Sequence, residues 1–241
     1  MPAQEHEVFL PPKDPDTPIW RYMDFTKFVS MLENKGLFFS RSDKLGDPFE
    51  GSFSRGNERL RPLIYKEQPF PSKQMSQFMR WIRKWAFINC WHMNAHESAA
   101  MWKLYARTKE AIAIRSTYKQ LKECIDNDCF LGVVHYIDYE SAWLPEGNAL
   151  YPYVHKHLSF AHEQELRAVI LKPPTNDNGM DYSKKPPGGV WKSVDTDELI
   201  NAIYVAPMSP SWYRELVEQV LRRYGISKTV IQSSLDHEPF F

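Results

Sequence analysis

Cysteine is scarce. The 241 residues hold three, Cys90, Cys124 and Cys129, with no CxxC spacing. An odd set of this kind argues against a disulfide scaffold and against a zinc ribbon. An excess of one charge is also missing: Lys+Arg 30 balance Asp+Glu 30. No global basic field is therefore available to hold nucleic acid, and only a local groove could do so. The compact basic stretches are RWIRKWAF (80–87) and LRRYG (221–225), which read first as solvated helix faces. No apolar run approaches about 18 residues, so no membrane span is expected. The opening MPAQEHEVFLPPKDPDTP is charged and proline-rich, unlike a signal peptide, and the expected setting is cytoplasmic. There is no GxGxxG, no Walker loop and no GxSxG elbow, which weighs against Rossmann dehydrogenases, P-loop enzymes and α/β hydrolases. No internal repeat and no clean linker is visible.

What is present is apolar and aromatic. Hydrophobic residues make up 43% and aromatics 14%, enough for a sizeable core and for stacking on flat ligands. Residues 1–18 read as an irregular arm, and 19–241 as one domain. IWRYM (19–23) reads as a strand. Asp24 then caps a helix carrying Phe25, Phe28, Val29 and Leu32 at i, i+3, i+4 and i+7, with Gly36 as its C′ residue. LFFSR (37–41) is a second strand and 42–54 a turn-rich loop. Residues 55–73 read as irregular or weakly helical, 74–85 as a helix and 86–92 as a buried strand. Asn94 with Glu97 forms a cap for a helix bearing Ser98, Met101, Trp102 and Tyr105 on one stripe. Strands are expected over 111–116, 131–139 and 165–171, with a helix over 117–125. A proline-rich surface loop (172–189), two late strands, a helix opened by Ser209 and Pro210 and ended by Gly225, and a final TVIQSS strand follow. The predicted class is α+β, a single domain with a mixed, mostly antiparallel central sheet flanked by helices.

The stretch FAHEQELRAVIL (160–171) raises the chemical question: two carboxylates and a base at the mouth of an apolar strand. Alternation puts Glu163, Glu165, Arg167 and Val169 on one side, and Leu166, Ala168 and Ile170 on the core side. One reading is an edge strand with a surface Glu–Arg pair, worth little in stability. The other is carboxylate chemistry at a sugar carbon, where one carboxylate stabilises an oxocarbenium-like state and a second activates the nucleophile. Arg21, an arginine inside an apolar strand, needs a phosphate or carboxylate partner. His155, His157 and His162 match no common zinc spacing, and no metal site is expected.

In order, IWRYMDFTKFVSMLENKGLFFSRSDKLGDPFEG, INCWHMNAHESAAMWKLYA, GVVHYIDY, FAHEQELRAVI and IYVAP…LVEQVLRRYGI resemble the DUF2971 family of bacterial and phage proteins over residues 19–226. The chain is also similar to ADP-ribosyltransferases of the Arg–Ser–Glu type, which implies an ADP-ribosyltransferase-like fold and NAD as a substrate. Under that resemblance Arg21 contacts the dinucleotide, Ser40 or Ser116 fills the serine element, Glu165 takes the catalytic slot and Glu163 the acceptor-directing slot. Tyr22 and Arg41 join the candidate cofactor-binding set, and Trp102 and Tyr105 are candidates to stack on nicotinamide. The implied function is NAD-dependent ADP-ribosyl transfer to a protein or nucleic acid, in toxin or anti-phage biology. Two rivals stand beside it: a non-enzymatic nucleotide- or nucleic-acid-binding module using Arg80, Arg83 and Lys84, and a nuclease in which Asp47, Glu163 and Glu165 hold Mg²⁺.

Overall fold

The computed structural model describes residues 3–66, 72–106 and 108–235. The chain opens with β1 (Pro18–Asp24), α1 (Phe25–Glu33) and β2 (Gly36–Arg41). Helices α2 (Arg55–Ile64) and α3 (Ser72–Ile82) lead into β3 (Ala86–Met93). Then come α4 (Ala99–Tyr105), β4 (Ala111–Thr117), α5 (Tyr118–Cys124), β5 (Phe130–Val133), β6 (His135–Ile137), β7 (His155–His157) and β8 (Glu165–Leu171). A small ribbon, β9 (Thr175–Asn176) with β10 (Gly179–Met180), precedes β11 (Gly189–Ser193). The chain ends through α6 (Thr196–Leu199), β12 (Ala202–Val205), α7 (Ser211–Arg223) and β13 (Thr229–Gln232).

Nine of these strands form one sheet in the order β11-β2-β3-β1-β4-β12-β13, with β8 on the other side of β3 and β5 beyond it. Every pairing in it is antiparallel except β12 with β13. The expected α+β class with a mixed, mostly antiparallel sheet is what the chain forms. Leu166, Ala168 and Ile170 do feed the main core, beside Phe87 and Trp91.

One irregularity positions the candidate site. β3 is paired along its whole length with β8, from Ala86↔Leu171 to His92↔Glu165. Its other edge is shared: Phe87 and Ile88 pair with β2, and His92 and Met93 with β1. Residues 89–91 therefore face a split between β2 and β1. Side chains bridge it, since the Asn89 amide donates to the Phe38 carbonyl at 2.9 Å and Arg21 donates to the Cys90 carbonyl at 3.3 Å.

Several local expectations are corrected. Asp24 holds the N-cap position of α1 without a capping bond and pairs instead with Lys27 at 3.2 Å. The left-handed residue after α1 is Lys35 (φ 44°), not Gly36. Gly36 is needed for a different reason: a Cβ there would stand 2.4 Å from the Lys192 carbonyl oxygen of β11. Ser98, not Asn94, caps α4 through the Met101 amide, and Glu97 accepts from the Trp102 indole at 2.9 Å. Residues 55–64 are a regular helix, capped by Ser54; part of the 55–73 stretch lies outside the described residues. The expected strand 131–139 is two strands, β5 and β6, because the chain leaves β8 at Val134 and pairs β6 with β7. The arm packs: Val8 and Phe9 are buried, and the Phe9 ring stacks on Phe130 at 5.3 Å.

Candidate active site

β8 is not an edge strand. It lies between β3 and β5, so its polar residues enter the interior. Glu165 is 4% exposed and Arg167 1%. Glu163 is not on the strand: it ends a 3-10 turn (Leu158–Glu163), and Gln164 turns the chain with φ 40°. The Glu165 amide donates to the Tyr136 hydroxyl at 2.8 Å, which fixes where the strand begins.

The buried charges are stabilised as a chain of ion pairs. Arg167 forks onto Glu50 at 2.6 and 2.7 Å and onto Glu165 at 3.0 and 3.1 Å, and donates to the Tyr153 carbonyl at 2.9 Å. All five guanidinium N–H donors are thereby used. Glu50, from the DPFEG loop, is as deeply buried. Lys156 of β7 lies 3.5 Å from Glu165 and is in contact with Glu163. Burial alone would raise the Glu165 carboxyl, but Arg167 and Lys156 outweigh it and hold it below the usual carboxylate range. Burial likewise opposes the charge on Lys156, and Glu165 with Glu163 reverses the sign and raises its pKa. Burial and then Glu165 push the Cys90 thiol well up, so it is no nucleophile at neutral pH.

Arg21 sits at the split. Among the described residues it has no carboxylate partner; it donates to the Cys90 carbonyl and lies over the Trp91 ring at 5.9 Å. Burial lowers its pKa, and Cys90 and Tyr105 act the other way. Tyr105 is 45% exposed, yet its hydroxyl is pushed up by desolvation and then by Glu163, Cys90 and Glu165, the groups around it. The Tyr105 hydroxyl thus interacts electrostatically with Arg21 and with Glu163 and Glu165.

The remaining candidates fall into two groups. Tyr22 and Trp102 are buried at 7% and 4%, packed edge to face at 4.9 Å, and form a wall beside His92. Ser40 and Arg41 stand on β2 across the split. Arg41 is already occupied by Asp43 at 2.6 Å and by the carbonyls of Pro186 and Pro187. Ser116 is spent on the Leu199 carbonyl at 2.5 Å. Asp47 accepts from the Phe49 amide, and among the described residues no three His, Cys, Asp or Glu side chains are grouped to hold a metal.

Glu50, Lys156 and His92 were not singled out from sequence as members of this site. Glu50 lies in DPFEG and His92 in INCWH, both within the quoted motifs; Lys156 carried no signal.

No family model matches the chain, and no curated protein matches it. Among solved structures, that of Thermus sp. 2.9 DarT in complex with ADP-ribosylated ssDNA overlaps 95% of this chain and 99% of that one, at TM-score 0.42 and 10% identity. A likeness of this degree decides neither fold family nor activity.

Proposed function

We propose that the chain is an NAD-dependent ADP-ribosyltransferase whose site lies at the split in the sheet. The observation that carries it is Arg21, a guanidinium in that split with no carboxylate partner among the described residues, beside Cys90 and within electrostatic reach of Tyr105, on which Glu163 and Glu165 also act. An unpaired guanidinium suits a pyrophosphate. Glu165, kept anionic and fixed in orientation by Arg167, stabilises the positive charge that develops on the ribose as nicotinamide leaves. Glu163, at the outer end of the network, takes the acceptor's proton. In this structure Glu165 is enclosed, so substrate entry displaces the Lys156–Glu163 contact. NAD⁺ consumption by purified protein tests the roles. Glu165→Gln lowers turnover about 100-fold or more, whereas Glu163→Gln depresses transfer and spares hydrolysis. Turnover at wild-type level in Glu165→Gln overturns the assignment.

A second observation bears on the acceptor. A cavity of about 350 Å³ between Gly51–Ser54, α2 and α3 is lined by Arg61, Arg80 and Arg83 with Ser52, Ser76 and Glu58. The Arg83 Nε is buried without a hydrogen-bond partner among the described residues. Phosphates of a nucleic acid fit such a lining, as acceptor or as the ligand of a non-catalytic module. Oligonucleotide affinity that falls steeply with salt, and with a smaller slope in Arg80→Ala, supports it; flat affinity across salt removes it.

A further inference from the structure

His92 is 6% exposed and lies opposite Glu165 in the β3–β8 register, on the same face of the sheet. Its Nδ1 is 2.6 Å from the Glu163 carbonyl oxygen. A carbonyl only accepts, so Nδ1 carries the proton and Nε2 presents a lone pair. Burial lowers the His92 pKa, against the pull of Glu163, and favours this neutral form. Nε2 itself is buried and has no hydrogen-bond partner among the described residues. A buried acceptor left without a donor is costly and uncommon, and a ligand that brings a donor to it removes that cost. The donor must be an N–H or O–H group, because a second acceptor or an anion would repel the lone pair.

The surroundings narrow the choice. The Tyr22 ring lies 6.3 Å from the His92 ring, with Trp102 edge-on behind Tyr22, so the flank of His92 is aromatic. Its register partners are Trp20 on β1 and, on the other side, Glu165 on β8. A flat heteroaromatic ring that carries a hydrogen-bond donor and is joined to a ribose matches this order of groups: aromatic wall, buried acceptor, carboxylate. We propose that His92 Nε2 accepts a hydrogen bond from the carboxamide N–H of nicotinamide and so selects the carboxamide-bearing dinucleotide. This rests on the NAD-dependent reading above and adds a specificity residue to it.

The probe pair is NAD⁺ and 3-acetylpyridine adenine dinucleotide, in which a methyl group replaces the amide nitrogen and both donors are lost while the carbonyl remains. Calorimetry on the wild-type chain is expected to show about tenfold or more weaker binding of the analogue, since a site built around a hydrogen bond rejects a ligand lacking it. In His92→Phe, which keeps a flat ring, the two dinucleotides are expected to bind within about twofold of each other. A merely structural role would weaken both equally and preserve their ratio. Thermal melting checks that His92→Phe is folded. In the wild-type chain, without any substitution, the ¹⁵N shift of His92 Nε2 is expected to move with NAD⁺ and stay in place with the analogue. NAD⁺ binding with the wild-type preference retained in His92→Phe, or an unmoved Nε2 signal, overturns the role of His92 alone. Absence of NAD⁺ binding to the wild-type chain overturns the NAD-dependent reading and this inference with it.

Discussion

Arg167 shows how one residue decides the character of the site. Its guanidinium is 1% exposed and serves two carboxylates at once. Removing it leaves Glu50 and Glu165 buried against each other with Lys156 as the cation still near them. Arg167→Ala is therefore expected to lower unfolding free energy in urea by about 3–5 kcal/mol, and adding Glu50→Gln to it should return part of that loss. Additive losses would show the network to be uncoupled. The pH dependence follows from Glu165. Its carboxyl is depressed in the folded state, so the stability it contributes is complete above the unfolded value of about 4.3 and is lost as pH falls through the folded value below that. Urea midpoints in acid should therefore fall less steeply in Glu165→Gln than in the wild type. Period-two alternation was enough to sort Glu165 and Arg167 from Leu166, Ala168 and Ile170. It could not show that the polar face is buried, because the neutralising Glu50 lies 117 residues from Arg167 in the chain.

At the scale of elements, α2 shows a helix held from outside. Its sequence contains Gly56 and Pro62, and local propensity alone gives weak helix. The fixing contacts are remote: fully buried Asn57 donates to the Leu144 carbonyl at 2.7 Å and accepts from the Leu144 amide at 2.9 Å. Gly56 lies so close to the Ala142 carbonyl that a Cβ would meet its oxygen at 2.2 Å. Asn57→Ala leaves both Leu144 backbone groups unpaired and should cost about 2 kcal/mol or more, with faster proteolysis of the 140–150 segment. Unchanged stability would mean that this segment is not anchored through Asn57. Strong local signals, by contrast, were legible: the apolar spacing of α1, the AFINC and AIAIRS strands and the glycine stop at Gly225 all lie where the pattern puts them. Caps were misread where two polar residues competed, as at Asn94 and Ser98. There the winner is decided by Tyr22, whose hydroxyl accepts from the Ser98 amide at 2.8 Å.

At the scale of the whole molecule, the sheet brings together residues from β1, α4 and the turn before β8 because β3 changes partner from β2 to β1 midway. Motif order marks Arg21, Glu163 and Glu165, and the aromatic stripe of α4 marks Tyr105, but the split in the sheet is not visible in sequence, since a strand's choice of neighbours is not a local property. His92 and Lys156 escaped for the same reason, each being placed by a partner element. Arg21, half-buried at the split and without a carboxylate partner among the described residues, is proposed to hold a dinucleotide. Calorimetric titration of NAD⁺ into wild-type chain and Arg21→Ala tests it most directly. Saturable binding to the wild type and at least about tenfold weaker binding to Arg21→Ala are expected, from the loss of one charge-assisted pair. No binding at millimolar NAD⁺, or equal binding to both proteins, would contradict it.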